Sequence, residues 1–493
     1  MLFKQLFRDS FWYALGLMGV AAIELLRVPL VGHLLGPEKF GHFVLAYGLA
    51  TLAATAASAW LTTAIVRFLP EFDTKGAASL GNKLVIRLSR LTVGVVFAVG
   101  VVFGWIGYRW LDRPLQILVV PGVMLAVTLS LDRIFLSVLR SRRQTSQYAL
   151  YSVVQAGTAL AIGLVWATMT AGGALELLLP MSLISCLLLP LGWRAWTTTH
   201  SEAALNTMPP AAARDWWHYG LPLLGVNVLS WVMSNLDRYA LQWMGRVDEV
   251  GPYAAVHYIS ERSIFILTYF ISMGVAPIIF AAWERKQKDE VQVFLSQLII
   301  FVLIAGMPIC AILAYQPSAF LQILLPKTFA SAFPIMPIIS GGALLLCIGN
   351  VYSEIFTLSK KPHQLLFCYL GAGTTKFIVI IALVPHFGMT ACAWGTVVAY
   401  GVFMILTMAL SHSLLTVKWR WKSFARTILA AVGMLLFAHL SARLLNDSAW
   451  RLGLWSGLSL GAYIGILLLL REPSLTSLAG VLRAPLTDQA SKQ

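Results

Sequence analysis

The chain is a succession of long apolar segments separated by short polar connections. A stretch of about 20 apolar residues, rising roughly 1.5 Å per residue, crosses a hydrocarbon core about 30 Å thick. Lipid offers the backbone no hydrogen-bond partner, so such segments are predicted to be α-helices. Fourteen segments meet this description: 11–35, 43–68, 84–108, 115–139, 148–171, 174–193, 219–244, 251–280, 293–316, 332–358, 364–385, 388–412, 424–445 and 451–470.

Composition excludes most alternatives to a membrane protein. The 493 residues are 58% hydrophobic and only 12% charged, whereas a soluble domain carries about 25% charged residues. The net charge of +15 is scattered between apolar segments and does not form one patch. Nucleic acid is therefore not an expected partner.

Basic residues orient the predicted spans. They lie mostly in the connections that share a side with both termini, about three there for each one opposite. Basic residues mark the cytoplasmic side of a membrane protein, so we expect both termini to be cytoplasmic.

A polar, proline-bearing connection at 197–215 separates two halves of six spans each. We predict four regions on this basis. They are an N-lobe at 1–200, a C-lobe at 212–412, two further spans at 424–470 and a cytoplasmic tail at 471–493.

The two halves share a motif. A span containing Arg27 ends at Gly36, and a span containing Arg238 ends at Gly245; an acidic turn and a second glycine, Gly41 or Gly251, follow. The spacing indicates a parallel internal repeat. Both glycines of each turn are expected to adopt backbone angles that other residues avoid.

These motifs resemble the polysaccharide flippases of the multidrug/oligosaccharidyl-lipid/polysaccharide exporter superfamily. The likeness is carried by Leu35-Gly36-Pro37-Glu38-Lys39-Phe40-Gly41, Asp237-Arg238-Tyr239, Val250-Gly251 with Tyr253, and Leu325-Pro326-Lys327-Thr328-Phe329. It implies an all-α integral membrane protein, with two pseudo-symmetric six-helix lobes around a central cavity plus two C-terminal helices. It also implies transport by alternating access.

The resemblance further implies the substrate and the setting. The substrate would be an oligosaccharide on a polyprenyl-diphosphate lipid, moved across a bacterial cytoplasmic (inner) membrane for exopolysaccharide or O-antigen synthesis. Membrane lipid, a polysaccharide polymerase and glycosyltransferases would be the partners. A multidrug or organic-cation antiporter of the same superfamily and a peptidoglycan-precursor flippase remain alternatives.

An enzyme is disfavoured. A membrane glycosyltransferase or polymerase places catalytic groups in sizeable outer loops, whereas the outer connections here have about 2–12 residues. No nucleotide-binding or metalloprotease motif is present in the sequence. The five cysteines show no metal-ligand spacing and are read as small core residues, so no metal or other cofactor is predicted.

Charged residues within the spans are the candidate site. An intramembrane charge costs a few kcal/mol or more unless it faces protein or water. A guanidinium group matches the oxygens of a phosphate, and a diphosphate needs cations along its route. We predict that four residues form the cationic lining of a cavity: Arg27, Arg238, Arg262 and Lys376.

Carboxylates within the spans suggest ion coupling. Glu24, Asp237 and Glu261 are the candidates for exchanging a proton or cation. The alternative for Glu24 is a fixed pair with Arg27, three residues further on one helix face, and Asp237 could simply neutralise Arg238. Asp132 and Arg133 lie near the basic end of their span and are expected to snorkel or to pair structurally.

Overall fold

The computed structural model describes residues 2–107, 113–170, 172–198, 210–315, 317–442 and 449–474. Within these ranges the chain is helical apart from short turns and contains no strand. The elements are α1 (Leu2–Thr74), α2 (Ala78–Gly107), α3 (Arg113–Ile117), α4 (Val119–Ser141), α5 (Thr145–Thr170), α6 (Leu175–Thr198), α7 (Pro210–Trp243), α8 (Val247–Glu284), α9 (Lys288–Tyr315), α10 (Pro317–Leu324), a 3₁₀ helix (Lys327–Ile335), α11 (Met336–Leu358), α12 (Pro362–Phe387), α13 (Met389–His412), α14 (Trp421–Ala442) and α15 (Ala449–Leu469).

Each predicted span coincides with a helix, which confirms the all-α membrane fold. Two spans share α1, which breaks at Gly36 (φ 70°, ψ 176°) into the arms α1a (2–35) and α1b (37–74). Among the described residues, nine helical segments are long and apolar enough to cross a membrane, and two shorter ones are apolar. The helices α7 and α8 are outside that set. Each contains two of the charged candidate residues, Asp237 and Arg238 in α7 and Glu261 and Arg262 in α8.

The chain forms two compact units. Unit 1 comprises Met1–Ile259, Leu325–Ala332 and Pro362–Gly395, and unit 2 comprises Ser260–Leu324, Phe333–Lys361 and Thr396–Gln493. Of the predicted connection and tail, residues 199–209 and 475–493 lie outside the described part of the chain. The predicted division into lobes stays a prediction.

Helix ends on the basic side carry basic residues where glycine is the easier choice. Arg143, Lys286, Lys360 and Arg471 each have φ between 51° and 61° directly after a helix. The left-handed conformation costs a residue with a side chain roughly 1–2 kcal/mol. A cation at this position interacts favourably with the last carbonyls of the helix, which offsets part of that cost.

The repeat motif uses its two glycines for different purposes. Gly36 and Gly245 have φ of 70° and 74°, as predicted. Gly41 and Gly251 are not among the described residues with positive φ, so that expectation is wrong for them. They are helical, and the backbones of the two helices meet at this point: a Cβ on Gly251 would lie 1.9 Å from the Pro37 carbonyl oxygen and 3.2 Å from the Gly41 nitrogen.

A basic side chain near each motif turn binds a backbone carbonyl oxygen. Lys39 donates from Nζ to the carbonyl oxygen of Gly172, between α5 and α6, at 3.2 Å. Arg246 donates to the carbonyl oxygen of Pro385, in the last turn of α12, at 2.8 Å. Lys39 is the third residue after Gly36 and Arg246 the first after Gly245, so the two contacts do not occupy matching positions, and the duplication stays a prediction.

Glu472, just after the end of α15, forms hydrogen bonds with the start of α14. Its side chain is buried and accepts hydrogen bonds from Ser474 Oγ at 2.9 Å and Arg426 Nη1 at 3.4 Å. Burial alone raises the pKa of Glu472, but hydrogen bonds from Ser423, Ser474 and Arg426 together outweigh it and hold the pKa below its ordinary value.

Replacing Gly251 by alanine is expected to lower the apparent unfolding temperature of the detergent-purified protein by at least about 3 °C. The added methyl group would meet backbone atoms of Pro37, which cannot turn aside as a side chain can. Differential scanning fluorimetry measures the effect. Gly373→Ala, with no atom within 4 Å of its new Cβ, is the matched control; equal melting of both variants would contradict the close approach.

Glu472→Gln is expected to lower the unfolding temperature of the protein at pH 7. At acidic pH the variant and the wild type should unfold at the same temperature. A carboxylate with a lowered folded-state pKa stabilises above its unfolded pKa of about 4.3, and that contribution disappears as pH falls through the folded-state pKa. Unfolding temperatures of wild type and variant, measured between pH 7 and pH 3, should converge below about pH 4. A constant difference across that range would show that the charge of Glu472 is irrelevant.

Candidate functional site

Four carboxylates within the helices share one arrangement: each accepts a hydrogen bond from a tyrosine hydroxyl. A phenol is a strong neutral donor that brings no second charge into the membrane. The sequence analysis did not identify these tyrosines. The pairs are Tyr258 with Glu24 at 2.9 Å, Tyr151 with Asp132, Tyr253 with Asp237 at 2.8 Å, and Tyr400 with Glu261 at 2.6 Å.

Arg27 is buried and forms an ion pair with Glu24, one turn earlier on α1a. Its guanidinium carbon also lies 4.4 Å from the ring centroid of Tyr47 and 5.8 Å from that of Phe43, both on α1b. Stacking on an aromatic face stabilises a guanidinium most where water is scarce. We call Glu24, Arg27, Tyr47 and Tyr258 the Arg27 cluster.

Lys376 of α12 is fully buried against Asp237 of α7. Its ammonium donates to Asp237 Oδ2 and to the Met233 carbonyl oxygen, each at 2.6 Å, and both side chains are almost wholly excluded from the surface. Tyr253 donates to the same carboxylate oxygen. In this conformation Lys376 therefore neutralises Asp237, and its place as a cavity-lining cation stays a prediction.

Arg238 follows Asp237 directly but takes different partners. Its Nη1 donates to Asn235 Oδ1 at 2.5 Å, and its Nη2 lies 3.5 Å from His257 Nδ1. The carboxylate of Asp237 binds Lys376 and Tyr253. The alternative that Asp237 simply neutralises Arg238 therefore does not fit the observed contacts. Arg238 thus holds its charge beside neutral groups.

The first half of α8 joins these groups within unit 1. Tyr253 and His257 face α7, and Tyr258 reaches Glu24 of α1a. The three side chains lie within six consecutive residues. The contacts of Arg27, Arg238 and Lys376 therefore each reach this segment of α8, Arg27 through Glu24 and Lys376 through Asp237.

Glu261 and Arg262 continue α8 into unit 2. Glu261 is buried and hydrogen-bonded to Tyr400 of α13, and Arg262 is partly buried and has an interaction partner. Their assignment to cation lining and ion coupling stays a prediction.

Asp132 of α4 forms a further network with two other helices. It accepts hydrogen bonds from Tyr151 of α5 and from Ser185 of α6, the latter at 2.6 Å, and Gln155 donates to Ser185 at 2.9 Å. Only 5% of Asp132 is exposed, so it pairs structurally and does not snorkel. The cysteines are unpaired thiols, and Cys186 of α6 is exposed, which corrects its reading as a core residue.

An apolar groove of about 210 Å³ runs between α7 and α12. Tyr239, Trp243, Phe377 and Ile381 are among its lining residues, and none of the predicted cationic residues is. The groove is thus separate from the charged contacts.

Comparison with known proteins identifies a family and a distant relative of the chain. A family model described as polysaccharide biosynthesis protein matches residues 6–261, which is more than half of the chain. An uncharacterized membrane protein of Methanocaldococcus jannaschii is 27% identical over 215 residues, and the match covers 42% of each chain. The chain thus spans less than half of that relative's length.

Solved structures show the same fold at low identity. The lipid II flippase MurJ in an inward closed conformation has a TM-score of 0.75 at 12% identity, covering 95% of this chain and 99% of that one. An inward-facing multidrug resistance transporter of the MATE family has a TM-score of 0.60 at 14% identity, covering 80% and 94%. The expected superfamily fold is therefore confirmed.

Replacing Lys376 by methionine is expected to destabilise the protein by roughly 3–5 kcal/mol, because Asp237 would remain charged and buried without its cation. The measurement is the yield of monodisperse protein and its apparent unfolding temperature. Adding Asp237→Asn to this variant should restore part of the loss, since neither charge then remains. Lys327→Met, at an exposed lysine, is the control; a single variant as stable as that control would disprove the structural role of the pair.

Proposed function

The chain belongs to the polysaccharide biosynthesis protein family, and we propose that it is a flippase for polyprenyl-diphosphate-linked oligosaccharides. It would move the repeat unit from the cytoplasmic to the outer leaflet by alternating access, for exopolysaccharide or O-antigen synthesis. The setting would be a bacterial inner membrane, with both termini in the cytoplasm. A polymerase and glycosyltransferases would act after and before this step.

One observation carries the proposal: Arg238 is a buried guanidinium whose contacts are neutral. A charge in the membrane is costly unless protein, water or a ligand compensates it. Arg238 has Asn235 and His257 beside it, while its own neighbour Asp237 is bound by Lys376. The diphosphate of a lipid-linked sugar has the charge and the oxygen geometry that a guanidinium binds best.

Arg27 supplies a second cation, and its partner Glu24 is bound by Tyr258, the residue after His257 on α8. Its pairing with Glu24 reduces its net charge, and its stacking on Tyr47 fixes the plane of the guanidinium. A stacked guanidinium keeps N–H groups at its edge for further acceptors, and Arg27 Nη1 is buried without a hydrogen-bond partner among the residues that the structure describes. Arg27 is thus suited to receive a phosphate oxygen. Arg262 and Lys376 complete the proposed lining.

The organic-cation antiporter is the less favoured function. Cationic cargo needs a carboxylate that can turn toward it. Each of Glu24, Asp132, Asp237 and Glu261 already accepts a hydrogen bond from a tyrosine, and two of them also hold a cation. For ion coupling by Glu24, Asp237 and Glu261, these bonds would have to break during the cycle.

Reconstitution tests the proposal directly. Proteoliposomes receive a fluorescent polyprenyl-diphosphate oligosaccharide, and its movement between leaflets is followed by the accessibility of the label to a membrane-impermeant quencher. Wild type should accelerate movement, and Arg27→Gln and Arg238→Gln should each reduce the rate about tenfold or more, as expected for loss of a charge-assisted hydrogen bond. Arg67→Gln, at an exposed arginine near the end of α1b, is the control.

Parallel arms separate the alternative substrates. A peptidoglycan-precursor lipid also carries a diphosphate, so faster movement of that lipid than of the oligosaccharide lipid would favour the precursor flippase. Uptake of an organic cation dye, with both lipids immobile, would make the chain an antiporter. Wild-type proteoliposomes that move none of the three would refute the proposed function.

A further inference from the structure

Arg133 of α4 contacts the same helix arm as Arg27 but at a different depth. Its Nη1 donates to the hydroxyl of Thr55 on α1b at 2.5 Å. Thr55 donates its own proton to the Thr51 carbonyl oxygen at 2.7 Å, so its hydroxyl oxygen is turned into an acceptor for Arg133. The guanidinium is thereby held in one position.

The carboxylate next to Arg133 in the sequence does not neutralise it by direct contact. Asp132 accepts from Tyr151 and Ser185, on two other helices. Within the described part of the chain Arg133 forms no ion pair, and Thr55 is its hydrogen-bond partner. Asp132 and Arg133 repeat the pattern of Asp237 and Arg238. In both pairs the carboxylate binds residues of other helices, and the arginine donates to neutral groups.

One face of α1b connects Arg133 to Arg27. Tyr47, Thr51 and Thr55 are spaced four residues apart, which places them on one side of the helix. Arg27 stacks on Tyr47, Trp231 of α7 donates to Thr51 at 3.1 Å, and Arg133 binds Thr55. The two guanidinium groups therefore contact α1b about 12 Å apart, at 1.5 Å per residue.

The two arginines lie toward opposite ends of their helices. Arg133 is eight residues before the end of α4 at Ser141, about 12 Å from the basic-side turn. Arg27 is nine residues before Gly36, about 14 Å from the turn that the predicted topology places on the opposite side. A diphosphate that moves between these two turns would thus meet one guanidinium and then the other.

We propose that Arg133, positioned by Thr55, is a second binding station for the diphosphate of the substrate, on the basic side of the Arg27 cluster. The proposal rests on the proposed function, because it assigns an additional contact for the same lipid. The Tyr47–Thr51–Thr55 face of α1b extends from Arg27 to Arg133. The hydroxyl groups and the Trp231 ring on this face can contact the headgroup as it moves from one arginine to the other.

The test is equilibrium binding of defined lipids to the full chain in nanodiscs, followed by its tryptophan fluorescence. The probes are polyprenyl diphosphate and the uncharged polyprenol of equal length. Arg133→Gln should raise the Kd for the diphosphate about tenfold and leave that for the polyprenol unchanged. Arg133→Lys should give a smaller increase, because it keeps the charge but loses the planar fork.

Arg140→Gln is the matched control, since Arg140 lies on the same helix, is exposed and stacks over Tyr13 instead. It should bind both lipids like wild type. If Arg133→Gln fails to fold, Thr55→Val replaces it: loss of the hydroxyl releases Arg133 and should raise the Kd for the diphosphate several-fold. Unchanged diphosphate binding in the folded variant overturns the proposal.

Failure of the two proposals can be told apart. Wild type that does not prefer polyprenyl diphosphate over polyprenol removes the anionic substrate, and with it both proposals. Wild type with that preference, weakened by Arg27→Gln but not by Arg133→Gln, leaves the flippase in place and removes only the second station. An equal loss for both lipids in Arg133→Gln shows a structural role and also overturns it.

Discussion

The absence of water in the hydrocarbon core is the constraint on which the structure depends, because every ion that the helices carry must find compensation inside the protein. Four carboxylates meet it in the same way, each with a tyrosine hydroxyl from another helix. Two of them add a cation, Arg27 for Glu24 and Lys376 for Asp237. Acidic charge in the helices is therefore largely committed to internal contacts.

The positive charges of the basic groups are compensated to different extents, and this difference distinguishes Lys376 from the arginines. Lys376 is locked between Asp237 and a backbone carbonyl, so it holds α12 against α7. Within the described ranges, the hydrogen-bond partners of Arg238 and Arg133 are neutral. The protein thus separates cations that maintain packing from cations suited to an anionic headgroup, and in both Asp-Arg pairs a tyrosine and a second donor draw the carboxylate away from its neighbouring arginine.

Glycine sets how closely the two halves approach within unit 1. Gly41 and Gly251 occupy corresponding places in the repeat, and the contact at Gly251 leaves no room for a methyl group. Near them, Lys39 and Arg246 donate to the backbone carbonyl groups of Gly172 and Pro385. The close approach at Gly251 thus has a physical reason that the sequence motif alone does not show.

The helices could be predicted from the sequence, because the length of an apolar run is matched to membrane thickness and lipid forbids an unsatisfied backbone; the turn at Gly36 could be predicted as well. Arg27, Arg238 and Lys376 could be recognised as unusual, since an intramembrane charge stands out in any apolar run. The partner of each charge could not be predicted. Tyr258 and Glu24 are 234 residues apart, and Lys376 and Asp237 are 139 apart. Helix periodicity can place such residues on a face, but which faces meet depends on the packing of whole helices.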